Sequence, residues 1–161
     1  MSSPHPPPGG GALLDEALAL IGSVPGYEAV AAQLAGLRAR GRLRVEEISD
    51  RGTASVWGVI TLGPEAFEGG LVGLAETLVH ERFHLTQFPL ARTVSFWGGV
   101  LTWTPVWRRL ERPAYRAALD FLAALAAARP ELAEECSSEA ESVRAAFLAH
   151  YGAALGDRIG A

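Results

Sequence analysis

Lysine is missing altogether: all fourteen basic residues of this 161-residue chain are arginine. With abundant alanine and glycine, this reads as genomic base composition more than as chemistry. Cysteine is nearly as scarce. The single Cys136 excludes an internal disulfide and a cysteine-rich structural zinc site, and it fits a reducing compartment. Positive charge is in deficit, with 14 basic against 18 acidic side chains, a net charge of −4 and a pI near 5.6. No basic stripe is present to neutralise a phosphate backbone, so nucleic acid is not an expected partner. Long apolar runs are lacking too. The uncharged stretch Thr93–Trp107 has fifteen residues, short of the roughly 20 that span a bilayer. No basic n-region precedes the first apolar stretch, which Asp15 and Glu16 interrupt. The expectation is a cytoplasmic protein.

Hydrophobic residues make up 49% of the chain and the mean hydropathy is +0.17, which is ample for one core and too short for two. Ser2–Gly11 reads SSPHPPPGGG, a proline- and glycine-rich run with nothing to bury. Residues 1–11 are therefore expected as a disordered tail and residues 12–161 as a single domain. Helical spacing of apolar residues predicts helices over Ala12–Ile21 and Tyr27–Arg40, broken at Val24-Pro25-Gly26. Arg42–Ile48 and Ala54–Leu62 are short, β-branched and partly alternating, with turn residues between them, and predict an antiparallel β-hairpin. Gly69–Phe88 reads as a long, mostly buried helix. Pro113 suits the first turn of a helix running to Ala128, and a last helix is expected over Glu131–Tyr151, with Cys136 on its apolar stripe. The fold class is thus α+β, mostly helical, with a small antiparallel sheet packed by the Gly69–Phe88 helix.

Inside that long helix stands His80-Glu81-Arg82-Phe83-His84, a His-Glu-x-x-His pattern. Residues four apart lie one turn apart on one face, so both imidazoles can address one ion, and Glu81, about 100° round, is placed as a general base. By the chain's own composition, chance produces the pattern in on the order of one sequence in a hundred. Gly73, Glu76, Thr77 and Gln87 add to a polar stripe on a helix that is otherwise apolar. A catalytic zinc site takes three protein ligands and leaves a fourth position open, so a third donor must come from elsewhere. Gln87 and Leu90 stand where the extended metzincin pattern needs Gly and His. Glu111, at an expected helix start, is the leading third ligand, because the positive end of the dipole favours its ionised form. Its competing role is an N-terminal capping acid, and His150, Glu141 and Asp120 are the alternative ligands.

The motif followed by a glutamate on a later helix resembles the zincin metallopeptidases, specifically a minimal gluzincin-like branch. Small bacterial zincins with a Glu-x-x-Ala-Tyr element are most similar, here Glu111-Arg112-Pro113-Ala114-Tyr115. The resemblance covers His80–Gln87 and Glu111–Tyr115, under a tenth of the chain. It implies zinc held by His80, His84 and Glu111, Glu81 as general base and acid, and a peptide substrate lying along the Ala54–Leu62 strand. Tyr115, or an arginine, is expected to steady the oxyanion; Tyr115 stands where the thermolysin-like pattern has an aspartate. The expected function is a zinc-dependent hydrolase, a small metallopeptidase acting on a peptide or protein. The alternative is a non-catalytic, zinc-stabilised binding or regulatory module on the same scaffold. Thr93–Trp107, which joins the two ligand-bearing segments, is expected as a partly mobile cover near the metal.

Overall fold

The computed structural model describes residues 10–55, 57–87 and 105–151, with the backbone alone for 105–109. In chain order the elements are α1 (Gly10–Gly22), α2 (Glu28–Ala39), β1 (Leu43–Val45), β2 (Gly52–Ala54), β3 (Ile60–Leu62), α3 (Glu65–Glu68), α4 (Gly70–Thr86), α5 (Pro105–Ala128), a 3-10 turn (Pro130–Leu132) and α6 (Ala133–Tyr151). This is the expected α+β class, mostly helical with a small sheet. The first helix starts two residues before the expected Ala12, with Gly10 already buried; residues 1–9 of the expected tail lie outside the described residues.

Helix α4 is the axis of the molecule. Every residue from Val72 to Val79 is buried, which requires neighbours on all sides. Helices α1, α5 and α6 and strand β2 supply them. One apolar cluster results, with Leu74 and Leu78 of α4 meeting Ile21 of α1, Ile60 and Leu62 of β3, Phe121, Leu122 and Leu125 of α5, and Phe147 of α6. Cys136 is buried in this core, as its helical stripe implied.

The sheet differs from the expected hairpin. Its order is β1-β3-β2: β1 runs parallel to β3, with Leu43 opposite Ile60, while β2 runs antiparallel to β3, with Thr53 opposite Thr61. The run Ala54–Leu62 is therefore two strand ends joined by a turn. Ser55 N–H donates to the Val59 carbonyl at 2.8 Å, and Gly58 N–H donates to the Ser55 carbonyl at 3.0 Å. Gly58 takes φ +75°, a conformation that only glycine adopts cheaply. The alternation looked continuous because strand and turn residues happened to share one polarity pattern. With β3 paired on both sides, β2 is left as an edge strand among the described residues.

Helix α5 also departs from expectation. It begins at Pro105, not Pro113, so Pro113 lies inside it and Glu111 sits in its second turn. An interior proline removes one helical hydrogen bond and opens the turn without necessarily ending the helix. The last three residues of the expected Thr93–Trp107 cover, Pro105–Trp107, open α5; the rest of that stretch lies outside the described residues.

Candidate metal centre

Helices α4 and α5 pack against each other, and where they face, three side chains converge. Nε2 of His80 lies 3.2 Å from Nε2 of His84. Oε2 of Glu111 lies 3.5 Å from the first and 3.3 Å from the second. These side chains are only 13–15% exposed. Two imidazole nitrogens and a carboxylate oxygen at such separations form a group that can hold a metal ion. Helical spacing puts the histidines on one face, and the long α5 carries Glu111 across to them. The acidity of Glu111 thus comes from the histidines and not from a helix end: burial works against its charge, but hydrogen bonds from the His80 and His84 rings outweigh it and hold the carboxyl at about 2. Burial likewise disfavours the His84 cation, and Glu111 overcomes it and raises the pKa of that ring.

Glu81 points off the same turn and is buried, which pushes its carboxyl up despite the opposing pull of the two histidines. Strand β2 runs directly beside it. A Cβ added to Gly52 would stand 3.0 Å from Cγ of Glu81 and 3.1 Å from Cγ2 of Thr77, so this edge strand approaches the helix only because position 52 has no side chain. One turn up α4, Glu76 is 5% exposed, and burial raises its carboxyl to about 7 against the pull of His80 and Arg51. Arg51 spans three elements here. Its Nη1 bonds Oε1 of Glu139 on α6 at 2.6 Å and stands 3.8 Å from Oε2 of Glu76, while its Nη2 occupies the space that side chains at Gly69 and Gly73 would fill. The sequence flagged Glu76 and Gly73 as part of a polar stripe. Arg51 and Glu139 carried no such signal, because one stands in an expected turn and the other on a helix rich in acids.

A cavity of about 940 Å³ opens over the three converging side chains. Its wall includes β2 and the segment before it, Glu76, Glu81, Tyr115, and Ala146, His150 and Tyr151 of α6. Tyr115, one turn after Glu111, packs edge-on against His80 at 4.8 Å between ring centres. Burial, then the charges of Tyr151 and the nearby glutamates, raises its hydroxyl pKa. Of the alternative ligands, His150 reaches the cavity wall, but its Nδ1 lies 2.8 Å from the Ala146 carbonyl in its own helix and it stays outside the converging group. Glu141 and Asp120 are exposed and absent from the wall. Of the run Ala54–Leu62 expected to hold the peptide, Ala54, Ser55 and Trp57 line the cavity; β3 is paired on both sides, and β2, which ends at Ala54, borders the cavity.

Comparison with protein-family models, with curated proteins and with solved structures gives no match for this chain. No helix among the described residues is long and apolar enough to cross a membrane.

Proposed function

We propose that this chain is a zinc-dependent hydrolase, a small metallopeptidase of gluzincin-like type. The observation that carries the reading is the triangle of donor atoms, with edges of 3.2, 3.3 and 3.5 Å. Donors bonded to one zinc at about 2.0–2.1 Å in a tetrahedral shell stand about 3.3 Å apart. The donor set suits zinc, and with three protein ligands it leaves the fourth position to solvent and substrate. The chemistry that a bound zinc supplies is polarisation of a carbonyl and acidification of water.

The chain's own residues fill the remaining roles. Glu81, buried beside the two histidines, takes a proton from the attacking water and passes it to the leaving amine. Its raised pKa suits both halves of that transfer. Tyr115 stands across His80 and donates a hydrogen bond from its hydroxyl to the developing oxyanion, a role that a hydroxyl held neutral can perform. Strand β2 offers a main-chain edge to an extended peptide. In the antiparallel pair the Arg51 carbonyl accepts from Gly63 N–H and the Ser55 N–H donates to the Val59 carbonyl, at the two ends of β3, so alternation turns the amide groups of Gly52 and Ala54 toward the open side. Main-chain pairing implies broad side-chain tolerance.

The test combines metal content with turnover. Purified protein reconstituted with zinc is expected to hold one ion per chain and to cleave unstructured peptides at neutral pH. Glu81→Gln is expected to keep the ion and lose cleavage, because an amide cannot accept the proton. Absence of a bound ion sinks the reading. Retained zinc with equal turnover in wild type and Glu81→Gln leaves the zinc-stabilised binding module as the better account.

A further inference from the structure

Gln87 ends α4 with an extended backbone, φ −63° and ψ 141°, yet its side chain turns back into the metal centre. Its Nε2 donates to the Leu110 carbonyl at 2.8 Å, and its Oε1 lies 3.4 Å from Nδ1 of His84. The first contact decides which way round the amide sits. A carbonyl only accepts, so the amide nitrogen faces Leu110 and the amide oxygen faces His84. An amide oxygen also only accepts, so the proton at that contact belongs to Nδ1 of His84. In the neutral ring that a metal ion requires, the lone pair is then on Nε2, the atom directed at His80 and Glu111.

The other end of the same amide holds the second helix. Leu110 immediately precedes Glu111, and Pro113 lies in the following turn. Pro113 has no N–H for the carbonyl four residues before it, so the backbone of this turn is under-bonded, and the second lone pair of the Leu110 oxygen takes the Gln87 amide as a donor. One side chain therefore touches a ligand on α4 and the backbone beside a ligand on α5.

We propose that Gln87 is the positioning residue of the metal centre: through one amide it orients His84 by Nδ1 and fixes Glu111 by the Leu110 carbonyl. The proposal rests on reading His80, His84 and Glu111 as metal ligands. It assigns Gln87 no contact with the ion or substrate. Outer partners of this kind typically carry 10–100-fold in metal affinity.

The test measures zinc affinity by competition with a chromophoric chelator in wild type, Gln87→Met and Gln87→Glu. Circular dichroism and urea midpoints of the metal-free proteins serve as the folding control. Methionine fills similar volume without an amide, and the expected result is a loss of about 10–100-fold with the metal-free fold unchanged. Glutamate keeps an acceptor opposite Nδ1 but has no donor for the Leu110 carbonyl, and its affinity is expected to lie between those of Gln87→Met and wild type. In zinc-loaded wild type, the His84 Nδ1 proton is expected to exchange slowly with solvent in nitrogen-15 spectra, a measurement that needs no variant to fold. Gln87→Met within twofold of wild type, equal losses in both variants, or a rapidly exchanging Nδ1 proton would each overturn the proposal while leaving the metal site intact. Failure of wild type to bind zinc overturns the metal reading itself, and this proposal with it.

Discussion

Glu111 keeps its charge at 15% exposure because two imidazoles face the same oxygen, and His150 stands aside on the cavity wall. Glu111→Ala is accordingly expected to weaken zinc binding by more than the roughly 10–100-fold that an outer partner carries, whereas His150→Ala leaves it unchanged. Competition titration of both variants checks the assignment, and a comparable loss in His150→Ala would replace Glu111 in the ligand set. Glu76 makes a prediction of the opposite kind, since its charge is a burden. Its folded pKa of about 7 stands above the ordinary carboxylate value of 4.5. Below pH 4.5 both folded and unfolded chains hold the proton and nothing is lost. Between 4.5 and 7 the unfolded chain releases it first, so stability falls as pH rises, and above 7 the deficit levels off at about 3 kcal/mol. In metal-free protein, Glu76→Gln is therefore expected to match wild type near pH 4 and to be more stable by about that amount at pH 8. Urea midpoints at the two pH values measure it, and a gap independent of pH would show that Glu76 titrates alike in the folded and unfolded chains.

Among the elements, β2 and α5 decide how the site is assembled. Strand β2 lies against α4 at Gly52, where a Cβ would meet Glu81 and Thr77. Gly52→Val is expected to push the strand away, at a cost of about 1–3 kcal/mol. Peptide turnover should fall while zinc binding persists, since no ligand is touched. Unchanged turnover would remove β2 from the substrate path. The helices were legible because apolar spacing states them directly: α2, α4 and α6 fall within the stretches that periodicity marks, and α1 overruns its stretch by two residues at the start and one at the end. Pro113 misled, because its preference for a first turn is real but an interior proline costs a single hydrogen bond that a packed helix tolerates. The sheet misled because three-residue strands carry too few alternations to state their partner. Parallel pairing of β1 with β3 is a tertiary contact that no local turn signal announces.

Taken whole, the molecule places its three converging donors on two helices, α4 and α5, that meet through the central core. A bound ion that ties them acts as a ligand of the folded chain alone. At a free zinc concentration 1,000 times its dissociation constant, this amounts to about 4 kcal/mol, which for a chain of this size corresponds to about 8–16 °C in melting temperature. Calorimetry with and without a chelator measures the shift, and coincident transitions would mean that the converging donors bind no ion in solution. The sequence by itself determined the helical faces, the buried Cys136, and the pairing of His80 with His84 beside Glu81, because each follows from 3.6-residue periodicity within one segment. It also nominated Glu111, though on the wrong ground of a helix start. Only the tertiary structure decided that Glu111 reaches the histidines and His150 does not, that β2 is the strand beside Glu81, and that Arg51 and Gln87 brace the site. Those outcomes depend on which surfaces of separate elements face one another, and a side chain's reach across that gap is set by packing, which local spacing does not encode.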